Sequence, residues 1–218
     1  MNDVLLLPSL LSCDFSRLAE ELAGCKAAGV QVVHVDVMDG HFVPNLTLGP
    51  LLVAAMRRAT DLVLDVHLMM TQPLDYAQAF RDAGADAITV HAEALGPRGI
   101  TEKLDQLRAT GARTGLAFNP DTDVEMWVEA IAQVDQVMLM TVYPGFGGQA
   151  FIPAVRPRIR FLRGRFPELP IQVDGGIDRR TIPMVVEDGA NRLVCGSAYF
   201  NDADPAGLRA WAESGQYV

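Results

Sequence analysis

The stretch Val32-Val33-His34-Val35-Asp36-Val37-Met38-Asp39-Gly40 decides how this chain is read. In a strand, alternate side chains share a face. Val33, Val35 and Val37 therefore point one way, and His34, Asp36 and Met38 the other. The run is β-branched and apolar, and it ends at Gly40, which reads as a buried strand running into a turn. Two other apolar runs end in a similar way, Asp65-Val66-His67-Leu68-Met69 and Val173-Asp174-Gly175-Gly176. Two histidines and two aspartates at such ends could form a nitrogen and oxygen site for a divalent metal. The carboxylates could also carry proton chemistry.

Working outward, the same kind of run recurs along the chain. Strands are expected near residues 5–8, 32–37, 63–68, 87–91, 114–118, 136–140, 171–174 and 192–195. Helical stretches are expected near 15–28, 50–59, 73–83, 100–110, 123–132, 153–164, 179–187 and 205–212. Asp14 suits a helix cap, and Pro73, Pro153 and Pro205 suit first-turn positions. Gly29, Gly84, Gly111 and Gly189 follow helices where a left-handed C-cap is expected. Strict β-α alternation predicts a parallel sheet, and eight is the number that closes a barrel. The fold class is therefore α/β, a single (β/α)8 TIM barrel over residues 1–218. In such barrels the chemistry sits at the C-terminal strand ends, where Ser9, His34, Asp36, His67, Asp174 and Ser197 all fall.

Composition narrows the function. Of 218 residues, 18 are Lys or Arg and 27 are Asp or Glu, a formal charge of -9. A surface this acidic argues against a nucleic-acid partner. An anionic substrate would need a local site, which backbone amides can supply without Lys or Arg. Three cysteines, Cys13, Cys25 and Cys195, lack CxxC spacing and argue against a disulfide scaffold or a Cys-rich zinc site. No run reaches about 18 apolar residues, so no membrane span is expected. With no secretory leader pattern, a cytoplasmic location is expected.

The segments Pro8–Phe15, His34–Thr47, His67–Met69, Gly84–Glu93, Met140–Gln149, Val173–Ile177 and Gly196–Ala198, in this order, resemble the ribulose-phosphate 3-epimerase family. The resemblance implies a (β/α)8 barrel holding one divalent cation (Zn²⁺, Fe²⁺, Mn²⁺ or Co²⁺). By motif position the ligands would be His34, Asp36, His67 and Asp174. Asp36 and Asp174 would double as the acid/base pair. The implied reaction inverts C3 of D-ribulose 5-phosphate, a small phosphorylated ketose of pentose phosphate metabolism, to give D-xylulose 5-phosphate. It would pass through an enediolate whose charge the metal stabilises. Relatives are often homo-oligomers, and the resemblance extends that expectation to this chain.

The remaining readings combine residues with resemblance. Gly145-Phe146-Gly147-Gly148, Gly175-Gly176 and Gly196-Ser197 follow the last three strands. They read either as tight turns or as a phosphate site, where glycine lets backbone N–H groups approach an anion. Their position after successive late strands favours phosphate. Met38, Met69 and Met140 read as barrel packing, or, by resemblance, as an apolar wall around the reacting carbon. Ser9 alone reads as a cap or turn residue; it matches a family substrate contact, as His67 does. His41 and His91 fit no ligand position and are read as structural. Asp39 has the opposite strand parity to Asp36 and is read as a turn or supporting residue.

Tyr143, Cys13 and Cys195 depart from the family pattern. Three rivals remain. A 3-epimerase for a ketohexose phosphate such as D-allulose 6-phosphate would keep the same metal and aspartates. A lyase barrel with a Schiff-base or acid lysine needs Lys at a strand end, yet Lys26 and Lys103 both fall in predicted helices. A non-catalytic phosphate-binding barrel would need no paired carboxylates.

Overall fold

The computed structural model describes residues 3–217. Eight strands form one parallel sheet: β1 (Leu5–Pro8), β2 (Val32–Met38), β3 (Val63–Met69), β4 (Ala87–His91), β5 (Arg113–Phe118), β6 (Gln136–Met140), β7 (Ile171–Asp174) and β8 (Arg192–Cys195). Sequential strands pair from β2 to β8, and β8 pairs β1. A parallel bridge between Ser9 and His34 brings the two ends of the sheet together. The fold is a (β/α)8 barrel, as the alternation predicts.

Among the described residues, ten α-helices cover or flank the sheet: α1 (Leu18–Ala27), α2 (Pro50–Ala59), α3 (Leu74–Asp82), α4 (Ala92–Leu95), α5 (Ile100–Arg108), α6 (Val128–Ile131), α7 (Arg156–Arg165), α8 (Ile182–Glu187), α9 (Ser197–Phe200) and α10 (Pro205–Ser214). The outward faces of the strands meet the apolar stripes of these helices. Val33, Val35 and Val37 of β2, Leu22 of α1 and Val53 of α2 share one buried cluster with Leu104, Ile159 and Val185. Burial of that surface holds the barrel closed.

All eight strands lie where the sequence predicts them; the helices differ in detail. The stretch 15–28 splits into a 3-10 turn at Phe15–Arg17, capped by Asp14, and then α1. Residues 178–181 form a turn instead of the start of α8, because the Asp178 carboxylate accepts from the N–H groups of Arg180 and Thr181. Pro73 stands just before α3, whereas Pro205 opens α10. Gly29, Gly84, Gly111 and Gly189 all have positive φ after their helices, the conformation that a C-terminal cap requires.

Inside the barrel, one layer below the strand ends, lies a buried polar network. The Asp65 carboxylate accepts from Gln172 Nε2 at 2.8 Å and Gln136 Nε2 at 2.9 Å, and His34 Nδ1 lies 2.8 Å from it. Gln136 Nε2 also bonds Thr89 Oγ1 at 2.9 Å. Gly115 adjoins this network, and a Cβ there would meet Thr89 Oγ1 at 2.1 Å. An interior that encloses polar groups must satisfy them internally, and these bonds tie β2, β3, β4, β6 and β7 into one frame.

Candidate active site

Above that network, His34 and Asp36 on β2, His67 on β3 and Asp174 on β7 converge. Each offers a ligand atom, and the four atoms lie within 4.8 Å of one another. Strand parity explains the convergence. Asp36 is directly opposite His67 in the β2–β3 register, and Asp174 ends β7 at the same level as Met140 on β6. His34 Nε2 and His67 Nδ1 each stand 3.2 Å from Asp36 Oδ1 and 3.8 Å from Asp174 Oδ2. His34 Nε2 is buried without a hydrogen-bond partner. A buried nitrogen of that kind facing two carboxylates fits a divalent cation, and two imidazoles with two carboxylates form a common donor set for one. The four residues predicted from the sequence thus form one group.

Their surroundings push the two carboxyls apart. Burial opposes ionisation of Asp36, but the adjacent His34 outweighs it and holds that carboxyl far below its usual range. Ser9 Oγ also donates to Asp36 Oδ2 at 2.7 Å. Asp174 has burial and the Asp36 charge against it, and is pushed up to about 7. Burial alone would lower His34, yet the Asp36 and Asp65 carboxylates raise it well above its ordinary value. Burial lowers His67.

A cavity of about 450 Å³ opens over the cluster. One wall carries Ser9, Asp36, Asp174 and the methionines Met38, Met69 and Met140. The other carries Gly145, Phe146, Gly147, Gly148, Gly175, Gly176, Gly196 and Ser197. His34 and His67 are fully buried and lie behind the wall that carries Asp36 and Asp174. Two glycines are required by geometry. Gly175 has φ +114° and Gly176 φ +64°; a Cβ on Gly176 would stand 2.5 Å from the Phe151 backbone nitrogen. The loop after β6 is held in place by Asn45 Nδ2, which donates to Gly145 O at 2.7 Å. Asp39 holds the loop after β2 by accepting from His41 N, Phe42 N and Thr71 N, each at 2.8 Å. That matches its reading as a turn residue.

Several residues of the site were not identified from the sequence. Asp65, Gln136 and Gln172 support His34 from below; their inward strand parity was the available signal. His91, read as structural, has its Nε2 2.9 Å from His67 Nε2. Arg180 is on the cavity rim, paired with Asp178 at 2.7 Å; it falls in a stretch read as helix. Cys195 is buried, its thiol pushed up to about 12 by burial, in keeping with a small apolar role. Burial likewise pushes the Cys13 thiol up to about 12. Tyr143 is exposed. Lys26 pairs with Asp61 at the surface and Lys103 bonds Leu95 O, and neither lysine lines the cavity.

Comparison with known proteins agrees with this geometry. The family model described as "Ribulose-phosphate 3 epimerase family" matches residues 5–200. A ribulose-phosphate 3-epimerase of Bacillus subtilis is 46% identical over 202 residues, covering 90% of this chain and 92% of that protein. The chloroplastic ribulose-5-phosphate-3-epimerase of Arabidopsis thaliana is 42% identical over 209 residues, covering 94% and 74%. Among solved structures, a 3-hexulose-6-phosphate synthase superposes with TM-score 0.69 at 21% identity, covering 97% of this chain and 99% of its own. A tryptophan synthase α-subunit mutant from Pyrococcus furiosus reaches TM-score 0.70 at 17% identity, with 98% of each chain covered. These two share the barrel alone. Sequence, cluster and fold agree, and the chain belongs to the ribulose-phosphate 3-epimerase family of isomerases.

Proposed function

We propose that the chain reversibly inverts C3 of D-ribulose 5-phosphate to give D-xylulose 5-phosphate, by a two-aspartate mechanism that depends on a divalent metal. The observation that carries this reading is the meeting of Asp36 and Asp174 with His34 and His67 in one cluster within 4.8 Å. Inversion beside a carbonyl removes a weakly acidic C–H proton from one side and returns one from the other. That needs one ionised and one protonated carboxyl at the same pH, with roles exchanged between directions. Asp36, kept ionised chiefly by the His34 imidazole, suits the base. Asp174, pushed up to about 7, suits the acid.

His34, Asp36, His67 and Asp174 would hold the cation, of the Zn²⁺, Fe²⁺, Mn²⁺ or Co²⁺ class. When bound, it supplies Lewis acidity where the carbonyl oxygen gains charge, and it lowers the pKa of both carboxyls. Met38, Met69 and Met140 exclude water from the reacting carbon. The amides of Gly145–Gly148, Gly175–Gly176 and Gly196–Ser197 cradle the phosphate of this small ketose substrate. On this reading the barrel acts as one catalytic unit in the cytoplasm, as a homo-oligomer, which sedimentation would check. Among the described residues, no helix is long and apolar enough to cross a membrane.

A coupled assay supplying D-ribulose 5-phosphate and D-allulose 6-phosphate in turn tests the assignment. Faster turnover of the pentulose phosphate is expected. Preference for the hexulose phosphate would move the assignment to that substrate, and turnover of neither would end it.

A further inference from the structure

The two histidines of the cluster are backed differently. His34 Nδ1 sits 2.8 Å from the Asp65 carboxylate, so Nδ1 donates to Asp65 and Nε2 is the nitrogen that faces the cluster. His67 has no carboxylate behind it. Its Nε2 meets His91 Nε2 at 2.9 Å, and His91 Nδ1 meets Glu93 Oε2 at 3.1 Å. Phe42 packs over His91, ring centroids 4.7 Å apart, and both imidazoles are fully buried. We propose that His91 and Glu93 are positioning residues that fix the tautomer of His67, so that its Nδ1 presents a lone pair to the cluster.

The direction of the chain follows from its far end. Glu93 Oε1 accepts from the Asn119 backbone N–H at 2.8 Å and from the Thr122 hydroxyl. A backbone N–H cannot accept, so that end of Glu93 is fixed as an acceptor. Against burial, the His91, Thr122 and Asn119 bonds keep Glu93 ionised, so its other oxygen also accepts, from His91 Nδ1–H. His91 Nε2 is left as an acceptor and takes the His67 Nε2 proton. His67 Nδ1 carries no proton, and it faces Asp36 Oδ1 at 3.2 Å. Two acceptors that close repel unless a cation joins them, so the strain of the relay falls on the metal side. Glu93 thus does for His67, through a second imidazole, what Asp65 does directly for His34. A hydrogen-bonded partner behind a metal-binding histidine commonly sets its tautomer and ring orientation.

The inference rests on the metal-dependent reading above, and its test separates the two. Imidazole ¹⁵N shifts of the metal-free wild type at neutral pH should show the proton of His67 on Nε2 and that of His91 on Nδ1. In Glu93→Gln, the Asn119 N–H retains the amide oxygen, which turns the NH₂ toward His91 Nδ1. Both tautomers should then reverse, and Zn²⁺ affinity, measured by competition with a chromophoric chelator, should fall by about 10- to 100-fold. A proton on His67 Nδ1 in the wild type, alone or on a doubly protonated ring, would overturn the inference. So would a folded Glu93→Gln that keeps both tautomers and the full Zn²⁺ affinity. If that variant does not fold, the wild-type shifts decide. A wild type that binds no Zn²⁺ yet shows the expected tautomers would overturn the metal-dependent reading and leave the relay standing.

Discussion

The two walls of the active-site cavity are made of different material. The wall from β2, β3 and β7 is built from side chains on strands: Asp36, Asp174, Met38 and Met69, with His34 and His67 behind them. The wall after β6, β7 and β8 is built largely from main chain, at Gly145, Gly147, Gly148, Gly175, Gly176 and Gly196. Side chains can titrate, ligate and be positioned by a second layer of bonds. Main-chain amides present fixed dipoles that suit a polyanion and need no cationic side chain. The first wall should therefore fail when a group is removed, and the second when an atom is added.

The largest effect is expected on the side-chain wall. Asp174→Asn keeps the volume and removes the proton donor, so turnover should drop by about 10²- to 10⁴-fold with a smaller change in KM. Steady-state kinetics in both directions measures this; retained turnover would erase the distinction between the walls. One layer down, Asp65→Ala leaves the amides of Gln136 and Gln172 and His34 Nδ1 without their shared acceptor. A loss of about 3 kcal/mol in denaturant stability is expected, in the range for breaking a buried charged network. On the main-chain wall, Gly176→Ala adds a Cβ against the Phe151 backbone at positive φ. That strain, about 1–2 kcal/mol, should raise KM roughly tenfold while kcat changes less.

The smallest effect is on stability against pH in the chelated protein. The folded pKa of Asp174 is raised from 3.8 to about 7. The folded state therefore binds the proton more tightly than the unfolded chain. Stability from this group is present below pH 3.8, falls as pH rises toward 7 and is flat above it. Asp174→Asn removes that dependence. Its Tm should gain on the chelated wild type by about 2–4 °C per kcal/mol of that contribution as pH rises through this window. A constant difference would mean that Asp174 is ionised throughout.

The strands were legible because a parallel barrel buries both faces, giving short apolar runs such as Val137–Met140, or valines alternating with inward polar residues as in Val32–Met38. The four clustered residues were legible because each lies in such a run and matches a motif of the family that the chain resembles. Helix starts were less so: the Asx turn at Asp178 and the 3-10 turns at Phe15–Arg17 and Val124–Trp127 depend on local side-chain bonds rather than periodicity. The helices Ala92–Leu95 and Ser197–Phe200 are too short to show a period. Asp65 shares the parity of His67, yet its partners Gln136 and Gln172 lie 71 and 107 residues away. Glu93 sits beyond the end of β4, where strand parity no longer applies, so its link to His67 emerges only from the folded molecule.

The account turns on proton removal at C3 by two carboxylates around a cation. Exchange of the C3 proton of D-ribulose 5-phosphate with D₂O, followed by NMR before and after chelation, tests this most directly. Exchange by the wild type, its loss on chelation with recovery on adding back Zn²⁺, Fe²⁺, Mn²⁺ or Co²⁺, and its loss in both Asp36→Asn and Asp174→Asn are expected. Exchange that survives thorough chelation, or persists when both aspartates are replaced, would contradict the account.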